Sequence, residues 1–326
     1  MKRGWLGGML LVTLFLSLVS LGLGRYQVSP PQVVEALFRP DGGLAATLIW
    51  QVRLPRVLLA LMVGAGLGVA GAAFQGVFRN PLVAPDILGV AAGGGFGAAL
   101  ALLLGLSQAL VQLSAFGFGL LAVSLTFLIA RLDDRLSTFS LVLAGVIVGS
   151  FFAALISLLK YVADSYAKLP AIVFWLMGSL AGVRPAELGM SAPLILGGIV
   201  LLILLRWRFN LLSLGSETAQ SLGLNTRRLY TVIVVCATLI TAAIVAIAGV
   251  IGWVGLVVPH LCRLLLGADH RRLLPASALM GASFMLLVDD AARCLSSQEI
   301  PLGIVTALIG APFFVYLLKR RGGEFD

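Results

Sequence analysis

The chain has 326 residues, of which 60% are hydrophobic and only 11% charged. A soluble domain carries roughly 25% charged residues, so this composition excludes a water-soluble globular protein and points to a chain solvated mostly by lipid. A formal charge of +9 would raise nucleic-acid binding in a soluble protein. In a lipid-solvated one, Lys and Arg mark cytoplasmic loops instead, and no nucleic-acid partner is expected.

The chain opens with "MKRGWLGGMLLVTLFLSLVSLGLG", which has the layout of a signal peptide. Its apolar stretch from Trp5 to Gly24 is longer than the roughly 7–15 residues of a signal core and predicts an uncleaved first span over 5–24. Further apolar runs predict spans over 57–77, 87–105, 110–130, 138–159, 190–206, 230–250, 253–266, 274–292 and 303–318. Most are long enough to cross a ~30 Å hydrocarbon core. The expectation is an all-α polytopic membrane protein of about ten helices, forming a single transmembrane domain over 1–326. Two segments need arbitration. Residues 253–266 are short and broken by Gly255 and Pro259, and 171–182, "AIVFWLMGSLAG", is too short to cross comfortably.

Charge arbitrates. With Lys2 and Arg3 inside, ten spans put the majority of the 23 Lys and Arg on the cytoplasmic side, as the positive-inside rule asks. Dropping the eighth span reverses the C-terminal half and loses that majority. Counting 171–182 as a span moves Arg206, Arg208, Arg227 and Arg228 outside. Both termini are therefore expected inside, with 171–182 a re-entrant or interfacial helix on the outer face. The short eighth span must then be covered by protein, because irregular backbone survives at membrane depth only there or in a water-filled cavity.

Small residues recur at helical spacing. Gly64 and Gly68, and Gly145 and Gly149, stand four apart, a spacing that lets helices approach closely in lipid. Intramolecular packing is the leading reading for both pairs. The run Gly93, Gly94, Gly95 and Gly97 fits either a helix beside a pathway or close packing.

Some chemistry is missing. Cys236, Cys262 and Cys294 lie in separate segments, with no C-x-x-C spacing, and no disulfide or metal site is expected. His260 and Cys262 diverge on a helix. None of Lys2, Lys160, Lys168 or Lys319 is followed by Ser or Thr, so a Walker A loop is absent and the chain is expected not to be an enzyme. Intramembrane acids mark ion relays. Asp289 and Asp290 are the candidates, although a vestibule pair near Arg293 fits them better.

One polar island breaks the apolar pattern: "SLGSETAQSLGLNTRRL", residues 213–229, on the cytoplasmic side. Ser216 reads as an N-cap, Glu217 as a first-turn acid and Gly223 as the helix end. Two turns of helix are marginal alone and need a surface to dock on. Glu217, Ala219 and Gly223 stand in an E-x-A-x-x-x-G arrangement that resembles the cytoplasmic coupling loop of ABC importer permeases. Three longer stretches, from Arg53 to Gly93, from Val254, and from Glu299, resemble the FecCD permease family over nearly the whole chain.

That resemblance implies a type II ABC importer permease in the bacterial or archaeal cytoplasmic membrane. Its partners would be a second copy of itself, ABC ATPase subunits inside, and an extracytoplasmic substrate-binding protein. ATP and Mg²⁺ would be used by the ATPase, with no cofactor bound here. The substrate would be a metal chelate (iron-siderophore, haem or cobalamin), with an oxyanion such as molybdate as the alternative and an ion-coupled carrier or a scaffold further behind. The resemblance assigns ATPase coupling to Ser216, Glu217, Thr218, Ala219, Gln220 and Gly223 in a loop of about 207–229. It assigns binding-protein docking to Arg53, Arg56 and Arg293, which land outside against the positive-inside trend; snorkelling at the interface is the other reading. Ser137 and Thr138 are candidate cytoplasmic gate residues or N-caps. Phe174 and Trp175 would cradle the binding protein or anchor the interface. Asp86 is expected to cap the helix after the turn at Asn80–Pro85.

Overall fold

The computed structural model describes residues 4–24, 26–40, 43–130, 138–296 and 298–321, and every regular element among them is helical. The order begins with α1 (Gly4–Gly22), α2 (Pro30–Phe38) and α3 (Leu44–Leu48), which runs through one π-turn (Ile49–Arg53) into α4 (Leu54–Phe78). A 3₁₀ turn (Pro85–Leu88) leads to α5 (Val90–Leu103), α6 (Gln108–Ala130), α7 (Thr138–Val162) and α8 (Lys168–Leu176). Then come α9 (Pro185–Leu204), α10 (Arg206–Ser213), α11 (Ser216–Ser221), α12 (Thr226–Ala248), α13 (Val254–Leu266), α14 (His270–Cys294) and α15 (Leu302–Arg321).

Among the described residues, seven helices are long and apolar enough to cross a membrane, and α5, α13 and α15 are shorter apolar helices. Together they occupy the ten predicted spans. The second differs most from expectation: the helix is continuous from Leu44 to Phe78, 35 residues, rather than starting near 57. Pro55 explains the earlier start. It has no N–H to donate, and its ring would collide with the carbonyl four residues back; the π-turn opens the ladder at that point.

The bundle is built around α4. Of its best apolar window 83% is buried, against 72% for α12 and 17% for both α1 and α9. In lipid no hydrophobic drive separates one helix face from another, so close backbone approach decides packing. A methyl added to Gly64 would overlap the carbonyl oxygen of Gly281, and one on Gly281 would overlap the carbonyl of Gly64. Gly68 meets the Ser277 carbonyl and Gly71 the Gly255 carbonyl in the same way. The Gly64/Gly68 pair is thus an intramolecular seam between α4 and α14. Gly145 presses on the Ile87 carbonyl, whereas Gly149 faces open space.

The glycine run in α5 proves to be packing as well. Gly93 and Gly97 sit against carbonyls of Phe118 and Ser114 in α6, Gly94 against Val245 of α12, and Gly95 against Leu176 of α8.

The short eighth span is covered by protein, with Val254, Val258, Pro259, His260 and Cys262 of α13 all buried. It is entered through an irregular stretch, Gly249 to Trp253, with Trp253 at φ +69°. The segment after α8 lies beside that stretch. Ser179 N–H donates to Ala248 O (2.9 Å), Leu302 N–H to Gly178 O (2.9 Å) and Gly303 N–H to Met177 O (2.9 Å). These bonds satisfy backbone that neither water nor lipid would. At nine residues, α8 is about 13 Å long at 1.5 Å per residue, too short to span.

Hydrogen bonds also test the topology, because each joins loops the charge rule put on one side. Lys168 Nζ donates to Leu103 O (2.7 Å) on the outer side, and Arg79 Nη2 to Leu212 O (2.9 Å) on the inner. Had α8 been a span, Arg79 and Leu212 would lie on opposite faces of the membrane.

Because backbone meets backbone at Gly281, Gly281→Ala should destabilise the protein by about 1–3 kcal/mol, the usual cost of overpacking. Gly117, where a methyl meets nothing, should tolerate alanine. Thermal unfolding in detergent checks both, and equal midpoints for the two variants would refute the seam.

Candidate functional site

The polar island folds as a bracket between α9 and α12. Gly215, at φ +114°, holds a backbone shape that side chains resist and takes the position before α11. Ser216 is therefore the first helical residue, not the cap, a correction to the sequence reading. Gly223, at φ +82°, turns the chain back so that Leu224 N–H donates to Ala219 O (3.1 Å). Asn225 caps α12 by accepting the Arg228 N–H (3.0 Å), and Gln220 Nε2 donates to Thr226 Oγ1 (2.9 Å). Ala219 is fully buried, fixing the helix from behind. Glu217, Thr218, Gln220, Ser221 and Leu222 are exposed, and Leu222, 59% exposed, adds an apolar side chain at the C-terminal end of that polar helix.

The bracket is fastened at α10. Phe209 is buried and stacks on His270, with ring centroids 5.4 Å apart and planes at 15°. Asn210 Nδ2 donates to Asp269 Oδ1 (2.7 Å), and Asn210 Oδ1 accepts the His270 N–H (2.9 Å). Asp269 also caps α14 by accepting the Arg271 N–H (3.0 Å). Partial burial pushes the Asp269 carboxyl up, but the Asn210 amide, the Arg271 N–H and the charges of Arg272 and Arg271 outweigh it and hold the group below the ordinary carboxylate value. Sequence reasoning missed this fastening. Its available signal was an Asp immediately before an apolar helix at 269, an N-cap pattern.

The outer arginines are engaged within the chain. Arg53, Arg56 and Arg293 are only 4%, 9% and 7% exposed, and all three turn inward. Arg53 Nη1 donates to Leu21 O (2.6 Å) and Gly22 O (2.9 Å), and its other amino group reaches Tyr26 O. Arg293 donates to Ser20 O (2.7 Å) and Leu23 O (3.0 Å). The last carbonyls of a helix have no intrahelical partner; here two guanidinium groups supply them for α1, with cations at the negative end of the dipole. Arg56 forms a close pair with Asp289 (2.8 Å) and reaches Glu299 (2.8 Å). Arg293 also pairs with Asp290, which accepts from Ser20 Oγ (2.7 Å). Within the chain, the three arginines expected to meet a binding protein serve as helix caps and ion-pair partners. Asp289, fully buried, is held between Arg56 and Arg293, the vestibule pairing rather than an unpaired relay.

Ser137 lies outside the described residues, and Thr138 is the first residue of α7. Phe174 and Trp175 lie on α8, with Phe174 45% exposed. Asp86 sits inside the 3₁₀ turn, and α5 starts after Gly89 instead, so the capping expectation for Asp86 is also corrected.

Among the described residues, seven helices long and apolar enough to cross a membrane and three shorter apolar ones, with the short exposed α11 displayed between α10 and α12, make a multi-pass membrane protein. The chain belongs to the FecCD transport family, whose model matches residues 10–320. It is 46% identical over 324 residues to the molybdate import system permease protein MolB of Haemophilus influenzae, covering 97% of this chain and 96% of that one. The vitamin B12 import system permease protein BtuC of Klebsiella pneumoniae is 39% identical, covering 99% of this chain and 96% of that one. A solved structure described as an inward-facing conformation of a metal-chelate type ABC transporter matches with a TM-score of 0.90 at 44% identity, covering 98% of this chain and 100% of that one.

Removing one partner of a buried ion pair strands the other. Asp289→Ala should therefore cost about 3–5 kcal/mol, whereas Arg39→Ala, whose contact with Glu35 is exposed, should cost under about 1 kcal/mol. The two unfolding midpoints in detergent check this; a tolerant Asp289→Ala would show that the cluster carries no stability.

Proposed function

We propose that this chain is the membrane-spanning permease subunit of an ATP-driven importer in the cytoplasmic (inner) membrane of a bacterium or archaeon. It works as a homodimer with ABC ATPase subunits on the inner face and a substrate-binding protein outside. ATP and Mg²⁺ belong to the ATPase. The observation that carries this reading is α11: six residues, too few to hold a helix alone, yet displayed with Glu217, Thr218 and Gln220 exposed, Leu222 exposed just past its end, and Ala219 buried behind them. That is the shape of an insert for a groove on a partner. The engagement of Asp289 and Asp290 by arginines supports an external energy source over an ion relay.

For the substrate, the reading is a metal chelate: an iron-siderophore, haem or cobalamin. The relatives named for vitamin B12 import and for metal-chelate transport support it. A second reading is an oxyanion, supported by the relative named for molybdate import. Specificity resides mainly in the binding protein on either reading, and Ser137 and Thr138 are proposed to contribute to a gate at the inner end of α7.

Uptake into vesicles carrying the whole complex decides between the readings. Transport should require ATP and be indifferent to a protonophore, and it should follow either labelled chelate or labelled molybdate. A requirement for the proton gradient would overturn the importer reading. Leu222→Glu, which puts a charge on an exposed apolar site at the end of α11, should lower ATPase co-purification about tenfold with no change in unfolding midpoint. Undiminished co-purification would remove α11 from the interface.

A further inference from the structure

The α10 fastening holds two long helices at once. Asn210 bonds to Asp269 and to the His270 N–H (2.7 and 2.9 Å), both at the start of α14. Arg79, just past the end of α4, donates to Leu212 O of α10 (2.9 Å). A methyl on Gly76 of α4 would stand 2.6 Å from His270 Nε2 and 3.2 Å from the Phe209 ring, so α4 bears directly on the Phe209–His270 stack. One turn of α10 therefore grips the end of α4 and the beginning of α14 together.

From that grip α4 and α14 run side by side to the opposite face. The 25 residues of α4 cover about 37 Å at 1.5 Å per residue. Along the way Gly64 meets Gly281 and Gly68 meets Ser277 backbone to backbone. Such a seam cannot slide without lifting a carbonyl over an α-carbon, and close-packed interiors transmit displacement rather than absorb it. At the far end Arg56 of α4 closes on Asp289 of α14 (2.8 Å), and Arg293 of α14 caps α1.

We infer that α4 and α14 form one rigid strut that ties the position of the α10–α11 bracket to the geometry of the outer face, with Asn210 and Asp269 as positioning residues at its inner end. The inference rests on the reading of α11 as the ATPase contact. Nucleotide binding inside and partner docking outside then bias the same body, and their coupling is reciprocal.

The test uses the whole complex in nanodiscs with its ATPase and binding protein. The dissociation constant of the binding protein is measured with and without a non-hydrolysable ATP analogue. Wild type should show a ratio of roughly 5–150-fold between the two states, the usual range of such coupling. Asn210→Asp sets two carboxylates against each other and opens the joint, so the ratio should fall to about one with the ATPase still bound. Asn210→Asp combined with Asp269→Asn restores the donor–acceptor pair with its polarity reversed, and the ratio should recover. A merely structural role would lower the unfolding midpoint without changing the ratio.

A wild-type ratio in Asn210→Asp, or no recovery in the double variant, overturns the strut. If Asn210→Asp does not assemble, Phe209→Leu is read by the same ratio. A wild-type complex with bound ATPase and a ratio of one overturns the inference alone. A wild-type preparation that binds no ATPase overturns the functional reading instead.

Discussion

The backbone contact between α4 and α14 is the constraint on which the rest depends. Lipid offers no reward for hiding apolar side chains from it, so helices here are held by close approach and by polar bonds that have no alternative partner. Gly64 against Gly281 and Gly68 against Ser277 supply the approach, and Arg56 with Asp289 supplies the polar lock. Around that pair, α12 and α13 complete an interior of small and β-branched side chains. The helices α1, α7 and α9 present broad apolar faces outward, as a membrane protein's perimeter must.

Polar residues are spent at the two ends of this core. At the outer end, Arg53 and Arg293 satisfy the last carbonyls of α1, a helix that buries little of its own surface and would otherwise be weakly held. At the inner end, Phe209, Asn210, Asp269 and His270 fix the bracket carrying α11. The two clusters share one logic: each joins helices distant in sequence through groups that lose hydrogen bonds if the helices part. Between them, the segment after α8 packs on Gly249 and Val250 and exchanges backbone hydrogen bonds with the end of α12 and the start of α15, which permits an irregular path inside the bundle.

The spans were legible because hydrophobic runs of the right length are the strongest signal a sequence carries, and Arg and Lys placement settled the short α13 and the non-crossing α8. The early start of the second span was not legible. Arg53 and Pro55 read as a boundary, and only a π-turn, which has no sequence signature, carries the helix past them. The island at 213–229 was legible as a displayed helix, although its cap proved to be Gly215 rather than Ser216, because a glycine left-handed turn and a serine cap are near neighbours in sequence. The fate of Arg53, Arg56 and Arg293 was hidden, since their partners lie on α1 and α14, over 200 residues away for Arg56. Charge alone says that an arginine is outside, not whether it faces solvent or a helix end.

The central claim is that α11 is seated on a motor subunit in the cytoplasm. A photo-crosslinking residue placed at Thr218, exposed on α11, and activated in native membranes tests it most directly. The account predicts a single major adduct with a P-loop ATPase, lost when the same probe is placed at Leu113 on the outward face of α6. Adducts at Thr218 only with lipid, or with an extracytoplasmic protein, would contradict it.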